Sequence, residues 1–101
     1  MTAPPTEIRQ PLAHGVRLTE DLLVVDLLDG RVLSVPLAWF PRLLAGTEAE
    51  RDSWRLVGRG EGIHWPELDE DVSVAGILAG HPSTESQESL GRWLARRDND
   101  Q

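Results

Sequence analysis

Residues 22–37 have the sequence LLVVDLLDGRVLSVPL, and this stretch decides the fold. Two apolar runs, Leu22–Leu28 and Val32–Leu37, lie on either side of Asp29-Gly30. Runs rich in valine and leucine are typical of strands when turn residues bound them. Asp-Gly between such runs favours a two-residue type I′ turn, because both residues tolerate the positive φ that this turn requires. The sequence therefore predicts an antiparallel hairpin.

A two-residue turn also predicts the register of the hairpin. Leu27 would lie opposite Val32, and Val24 opposite Val35, with alternate pairs on opposite faces of the sheet. One face carries Asp26 among its apolar side chains, whereas the other is more uniformly apolar. We predict that this second face meets the core; its members are Leu23, Val25, Leu27 and Val32.

Short helices are predicted after the hairpin. Pro41 is favourable in a first helical turn, and Gly46 is placed to end that helix. Thr47 and Glu50 have the spacing of a capping box, in which each side chain accepts from the backbone of the other. We expect a second short helix from Thr47 to about Trp54.

The elements together indicate an α+β fold. Val16–Leu18 and Trp54–Val57 add strand signals to the hairpin. We predict a small antiparallel sheet of three to four strands with the Asp-Gly hairpin, packed against two to three short helices. Residues 1–12 form a flexible lead-in, residues 13–80 a single α+β domain, and residues 83–101 a marginal C-terminal helix or tail.

Composition limits the function classes. A chain of 101 residues fits one domain, and the absence of cysteine excludes disulfides, thiolate metal clusters and a cysteine nucleophile. The formal net charge of −7 disfavours direct binding to nucleic acid and favours a basic partner. No apolar run approaches the roughly 20 residues that span a bilayer, and a signal-peptide pattern is missing. We therefore expect a cytoplasmic protein with no membrane role.

Residues 60–71, GEGIHWPELDED, contain the one cluster in the sequence suited to acid/base or metal chemistry. Its members are His64, Glu61, Glu67, Asp69, Glu70 and Asp71. A transition-metal site usually needs more than one histidine, and no nucleophile or oxyanion hole is marked nearby. We therefore predict no cofactor. A structural explanation is stronger: Asp69 is the N-cap of a third helix, and the two acids after it favour the helix dipole. His64 alternates with buried-type neighbours and is expected to point outward.

Aromatic and arginine side chains supply further candidates for an interaction surface. Trp65, Trp93 and Arg51 belong to residue types that are enriched at binding hot spots. Large aromatic side chains also fill the core of a small domain, which is the alternative for Trp65. Trp93, with the arginines around it, could dock a partner or belong to a solvated tail.

Five ordered motifs carry a resemblance to a known family. They are DGR at 29–31, VPLAWFPRL at 35–43, AER at 49–51, GIHWPELDED at 62–71 and SVAGIL at 73–78. Residues 22–80 resemble the bacterial family catalogued as domain of unknown function 2442. The resemblance implies a small α+β fold with a three- or four-stranded antiparallel sheet, and it carries over no catalytic residue.

Members of that family are often short bacterial proteins encoded beside a second small protein of family 4160, a pairing similar to a toxin and its antitoxin. Some longer members carry a helix-turn-helix after the domain, but residues 81–101 are too few for an independent DNA-binding domain.

The sequence and the resemblance together predict a non-catalytic protein-binding module, the antitoxin-like or regulatory half of a small two-protein system. The expected partner is another small, basic protein, or a second copy of the chain. The alternative is a small-molecule-binding or catalytic module centred on His64 with Glu67 and Asp69.

Overall fold

The structure is a computed structural model that describes residues 11–99. Its strands are β1 (Ala13–Leu18), β2 (Leu22–Leu27), β3 (Val32–Pro36), β4 (Arg55–Val57), β5 (Gly62–Trp65) and β6 (Glu70–Ser73). A 3₁₀ turn covers Leu37–Trp39, and the helices are α1 (Pro41–Ala45), α2 (Glu48–Asp52), α3 (Val74–Leu78) and α4 (Gln87–Asn99). The α+β class is confirmed. The predicted lead-in, residues 1–12, lies outside the described residues except for its last two.

The strands between residues 11 and 99 form two antiparallel three-stranded sheets, where the sequence predicted one sheet. The first has the order β1-β2-β3 and the second the order β4-β5-β6. The Ala13 N–H joins them by donating to the Gly60 carbonyl at 2.8 Å. Gly60 has a φ of 108°, and a Cβ there would lie 2.3 Å from the Ala13 carbonyl oxygen. The junction therefore requires glycine.

The predicted register of the hairpin is wrong by one residue. Val25 lies opposite Leu33 and Asp26 opposite Val32, and the Leu27 N–H donates to the Arg31 carbonyl. Among the turn residues only Gly30 has a positive φ, of 96°, so the connection is a three-residue loop and not a type I′ turn.

This slip of one residue reverses the faces of β3, because successive side chains point to opposite sides of a sheet. Leu23, Val25 and Leu27 are buried as predicted, whereas Val32 is exposed. The β3 residues on the core side are instead Leu33 and Val35.

One cluster of buried side chains draws on both sheets and on α1, α3 and α4. Burial of side chains this large contributes about 1.5–3 kcal/mol each, the main favourable term for a domain of this size. The largest fully buried side chains are Trp65, Leu23, Leu27, Leu37, Leu43, Ile63 and Leu68.

The third predicted helix begins four residues later than expected. Asp69 is not an N-cap, since it has a left-handed φ of 51° in the turn before β6. Glu70 and Asp71 belong to β6, where pairing with β5 overrides their helical position in the sequence. The N-cap of α3 is Ser73, whose Oγ accepts from the Gly76 N–H at 3.0 Å.

The capping box of α2 is confirmed. Thr47 and Glu50 each accept from the backbone of the other, at 3.1 and 2.8 Å, although the helix ends at Asp52 and not at Trp54. In the C-terminal segment, α4 follows Ser86, and its Trp93 is part of the core. No helix within residues 11–99 is long and apolar enough to cross a bilayer.

Candidate functional site

His64 lies on the outward face of the second sheet. Its neighbours Ile63 and Trp65 are fully buried, so the alternation along β5 turns the imidazole outward, as the sequence predicted. Pairing of β5 with β6 places Asp71 directly opposite, and His64 Nδ1 lies 2.8 Å from Asp71 Oδ1. An ionised carboxylate at this distance orients the ring and favours the proton on Nδ1, which leaves Nε2 as an acceptor.

Asp71 belongs to the predicted cluster, but the two carboxylates that the catalytic alternative placed with His64, Glu67 and Asp69, do not contact it. Glu67 is exposed in the turn between β5 and β6. The Asp69 carbonyl accepts from Arg42 Nη1 at 3.1 Å, and its carboxylate lies 3.6 Å from the same nitrogen. The structure gives neither residue a hydrogen bond to His64, whose carboxylate partner is Asp71. Within residues 11–99, no hydroxyl group is hydrogen-bonded to the imidazole either, so no nucleophile is positioned there.

Trp65 and Arg51 have interior roles. Trp65 is fully buried, and its Nε1 donates to the Arg51 carbonyl at 2.9 Å. The Arg51 guanidinium donates to the carbonyls of Leu43 and Leu44 at 2.7 and 2.6 Å, where the end of α1 leaves carbonyl groups without helical donors. These bonds fix α1 and α2 to β5. They explain the positions of Trp65 and Arg51 by roles within the fold, and a binding partner is not needed to explain them.

An open groove lies beside β6, between the end of α3 and the start of α4. Its volume is about 610 Å³. Its lining includes four carboxylates and one guanidinium, which gives a formal charge of −3: Asp69, Glu70, Asp71, Glu85 and Arg42. Asp69 and Glu70 of the GEGIHWPELDED stretch therefore line the groove. Asp71 also lines it, and its carboxylate contacts His64.

Arg42 is held by Glu85 at one wall of the groove. Its Nε lies 2.9 and 3.0 Å from the two carboxylate oxygens, and each side chain is only 12% exposed. Hydrogen bonds from Arg42 hold the pKa of Glu85 below its ordinary value. The guanidinium also lies 5.0 Å above the Trp93 ring. Arg42 is thus bound to Glu85 and lies near the Asp69 carboxylate, but it donates no hydrogen bond to Glu70.

Glu70 is the carboxylate that its surroundings satisfy least. Its side chain lies on the same, core-facing side of the sheet as Trp65 and Val72, because Glu70 pairs directly with Trp65. Its Oε1 accepts from the Asp71 N–H at 3.1 Å, but Oε2 is buried and has no hydrogen-bond partner. Burial raises the pKa of Glu70. The groove therefore contains a buried acceptor without a donor.

Trp93 lies between two guanidinium groups on the inner side of α4. Its ring is 5.0 Å from Arg42 and 4.7 Å from Arg97, and the side chain is almost fully buried. Arg97 donates two hydrogen bonds to Glu50, at 2.9 and 2.8 Å. These bonds lower the pKa of Glu50 to about 2. Trp93 and its charged neighbours attach α4 to the domain.

The burial of Glu70 on the core side of a strand and these ion pairs were not predicted from the sequence, in which Glu70 was one acid of the cluster around His64. Glu85 lies 43 residues from Arg42, and Arg97 lies 47 residues from Glu50, so no local pattern joins them. The signal that could have placed Glu70 on a strand is the period-two alternation over residues 70–73. It covers only four residues, fewer than the helical pattern that follows it. Within the described residues, no group of three metal-binding side chains is assembled.

Comparison with known proteins gives a family and a fold. The sequence model of the family described as "Protein of unknown function (DUF2442)" matches residues 13–83. No curated protein matches the chain. A crystal structure of a protein of unknown function from Rhodospirillum rubrum ATCC 11170 is similar, with 27% sequence identity and a TM-score of 0.68. The similarity covers 78% of this chain and 98% of that one. The chain therefore belongs to the DUF2442 family of proteins of unknown function.

Proposed function

We propose that the chain is a non-catalytic protein-binding module whose acidic groove receives a basic side chain of another small protein. The observation that carries this proposal is Glu70 Oε2, a buried acceptor without a donor in a groove of formal charge −3. A buried polar atom without a partner costs about 1–3 kcal/mol, and a donor from outside would recover this once the Glu70 side chain turns toward the groove.

Charge and geometry support a cationic ligand for the groove. Arg42 already donates to Glu85, so it does not compensate Glu70 by a hydrogen bond. A lysine or arginine side chain in the groove would be near Asp69 and Glu70, which both line it. The net charge of −7 attracts a basic protein over longer distances and speeds the encounter.

The finer form of the proposal is that the chain is the antitoxin-like or regulatory half of a small two-protein system. What supports it is the resemblance to a family whose members are encoded beside a second small protein, together with the acidic groove. Such a chain needs one binding surface and no catalytic group.

The test is co-expression of the chain with the product of the neighbouring gene, followed by purification through one of the two proteins. We expect co-purification, and a growth defect from the neighbour alone that this chain relieves. Two proteins that do not co-purify and do not affect growth would reject the proposal.

Groove variants test the location of the contact. Glu70→Gln keeps the shape of the side chain and removes the charge, and we expect it to weaken binding roughly tenfold or more. Glu88→Gln on the exposed side of α4 is the matched control, because it changes the net charge equally outside the groove. Equal affinities for both variants would place the contact elsewhere.

The second candidate is a small-molecule-binding or catalytic module centred on His64. The 2.8 Å hydrogen bond to Asp71 favours it, since a carboxylate that orients an imidazole is a common arrangement for a general base. His64→Ala distinguishes the two functions. A catalytic role predicts loss of a measurable turnover with the fold intact, whereas the binding role predicts unchanged association with the partner.

A further inference from the structure

The four edge strands of the two described sheets differ in charge. Strand β3 has the sequence VLSVP and carries no charged residue. Each of the other edges carries titratable side chains: His14 and Arg17 in β1, Arg55 in β4, and Glu70 and Asp71 in β6. Charged side chains on an edge prevent the addition of a further strand, so β3 is the edge among these four that lacks this protection.

The hydrogen bonds at the two ends of β3 identify which of its backbone N–H and C=O groups point away from β2. The Leu27 N–H donates to the Arg31 carbonyl, and the Leu37 N–H donates to the Asp21 carbonyl. Hydrogen-bonded pairs alternate along an antiparallel ladder, so the odd-numbered residues of β3 bond to β2. Val32 and Ser34 therefore turn their N–H and C=O groups to the open side, where no hydrogen bond from the described residues reaches them.

Apolar side chains accompany this open edge. Val32 is 55% exposed, and Leu28 in the adjoining turn is more exposed still. Leu22, at the opposite end of the hairpin and on the same face as Val32, is also exposed. An edge with unpaired backbone groups and exposed apolar side chains is suited to accept another strand.

We propose that β3 pairs with β3 of a second copy of the chain, antiparallel and about a two-fold axis at Leu33. In this register Val32 of each copy lies opposite Ser34 of the other, so every outward N–H and C=O of these residues finds a partner. Pro36, which has no N–H, falls opposite Gly30 of the second copy and outside the bonded stretch. A longer strand from another protein would meet Pro36 where it needs a donor.

Charge also favours a second copy at this edge. Two chains of charge −7 repel each other, and an uncharged strand lets them meet without bringing acidic surfaces together. The groove beside β6 contains no residue of β3, so this dimer and the proposed partner complex are independent.

The test is sedimentation equilibrium of the full chain over a wide range of concentration. We expect a reversible dimer whose dissociation constant rises at least tenfold in Val32→Lys and in Ser34→Pro. Val32→Lys places a charge on the edge, and Ser34→Pro removes an outward N–H that the native sheet does not use. Circular dichroism of both variants confirms that they fold.

Val57→Lys is the matched control, because Val57 is 48% exposed on the edge strand β4 and receives the same charge. We expect it to dimerise as the parent does. A parent chain that stays monomeric at every concentration would overturn the proposal. A dimer that tolerates both β3 substitutions, or that is lost equally in Val57→Lys, would overturn it as well.

Discussion

Replacement of Glu50 by glutamine tests how α4 is attached to the domain. Glutamine can still accept from the Thr47 N–H, so the capping box of α2 persists. The variant loses the negative charge that receives two hydrogen bonds from Arg97, at 2.9 and 2.8 Å. The substitution therefore isolates the ion pair between α2 and α4.

The expected loss follows from the pKa of Glu50, which falls from 4.5 to about 2 in the folded state. A shift of this size corresponds to about 3 kcal/mol when it is fully realised. The two side chains are each 19% exposed, so solvent screens part of the interaction. We expect Glu50→Gln to lower the free energy of unfolding by about 2 kcal/mol at pH 7, and the melting temperature by about 10 °C.

The pH dependence gives the sign of the effect. A carboxyl whose folded-state pKa is lowered stabilises the fold above its unfolded value of 4.5, and this contribution is lost as the pH falls toward about 2. Urea unfolding, followed by tryptophan fluorescence, should therefore show a difference between parent and variant that shrinks over this range. Equal stabilities at pH 7, or a difference that persists unchanged below pH 2, would refute the reasoning. Glu88→Gln, which breaks an exposed pair with Arg92, should cost no more than about 0.5 kcal/mol.

Three further changes have defined outcomes in the same urea assay. Gly60→Ala should cost at least about 2 kcal/mol, because the new Cβ meets the Ala13 backbone at a positive φ; an unchanged midpoint would contradict this. Gly91→Ala should instead stabilise α4 by about 0.5–1 kcal/mol, since open space surrounds that position, and any loss would argue against the helix. Glu70→Gln should be more stable than the parent at neutral pH. The raised folded-state pKa of Glu70 stabilises the parent fold below the unfolded value of 4.5, and this contribution is lost as the pH rises through the folded-state pKa, so the advantage should vanish in acid.

Local patterns predicted the parts of the fold that depend on few residues. The capping box of α2 needs only Thr47 and Glu50, and it forms as expected. The outward direction of His64 follows from alternation with Ile63 and Trp65, and it is also confirmed. In both cases the deciding interaction lies within a few residues of the chain.

Parts that depend on pairing between distant segments were not predictable in the same way. The register of β2 and β3 depends on the conformation of one residue, Asp29, which does not take the positive φ that a type I′ turn requires. Residues 70–73 have a composition suited to a helix start, yet pairing with β5 holds them extended. The Asp71 carboxylate therefore reaches His64 because β6 pairs with β5, and not because of a helix start at this segment.

The arrangement of the sheets has a consequence for how the chain folds. Each sheet is built from strands that follow one another directly, residues 13–36 in the first and 55–73 in the second. Pairings between consecutive strands close short loops, so each sheet can form without the other and at a small entropic cost. The hydrogen bond from Ala13 to Gly60 joins the two sheets. The core also includes Trp93 of α4, which follows both sheets along the chain, so the core is completed only when a segment beyond both sheets has been synthesised and has docked.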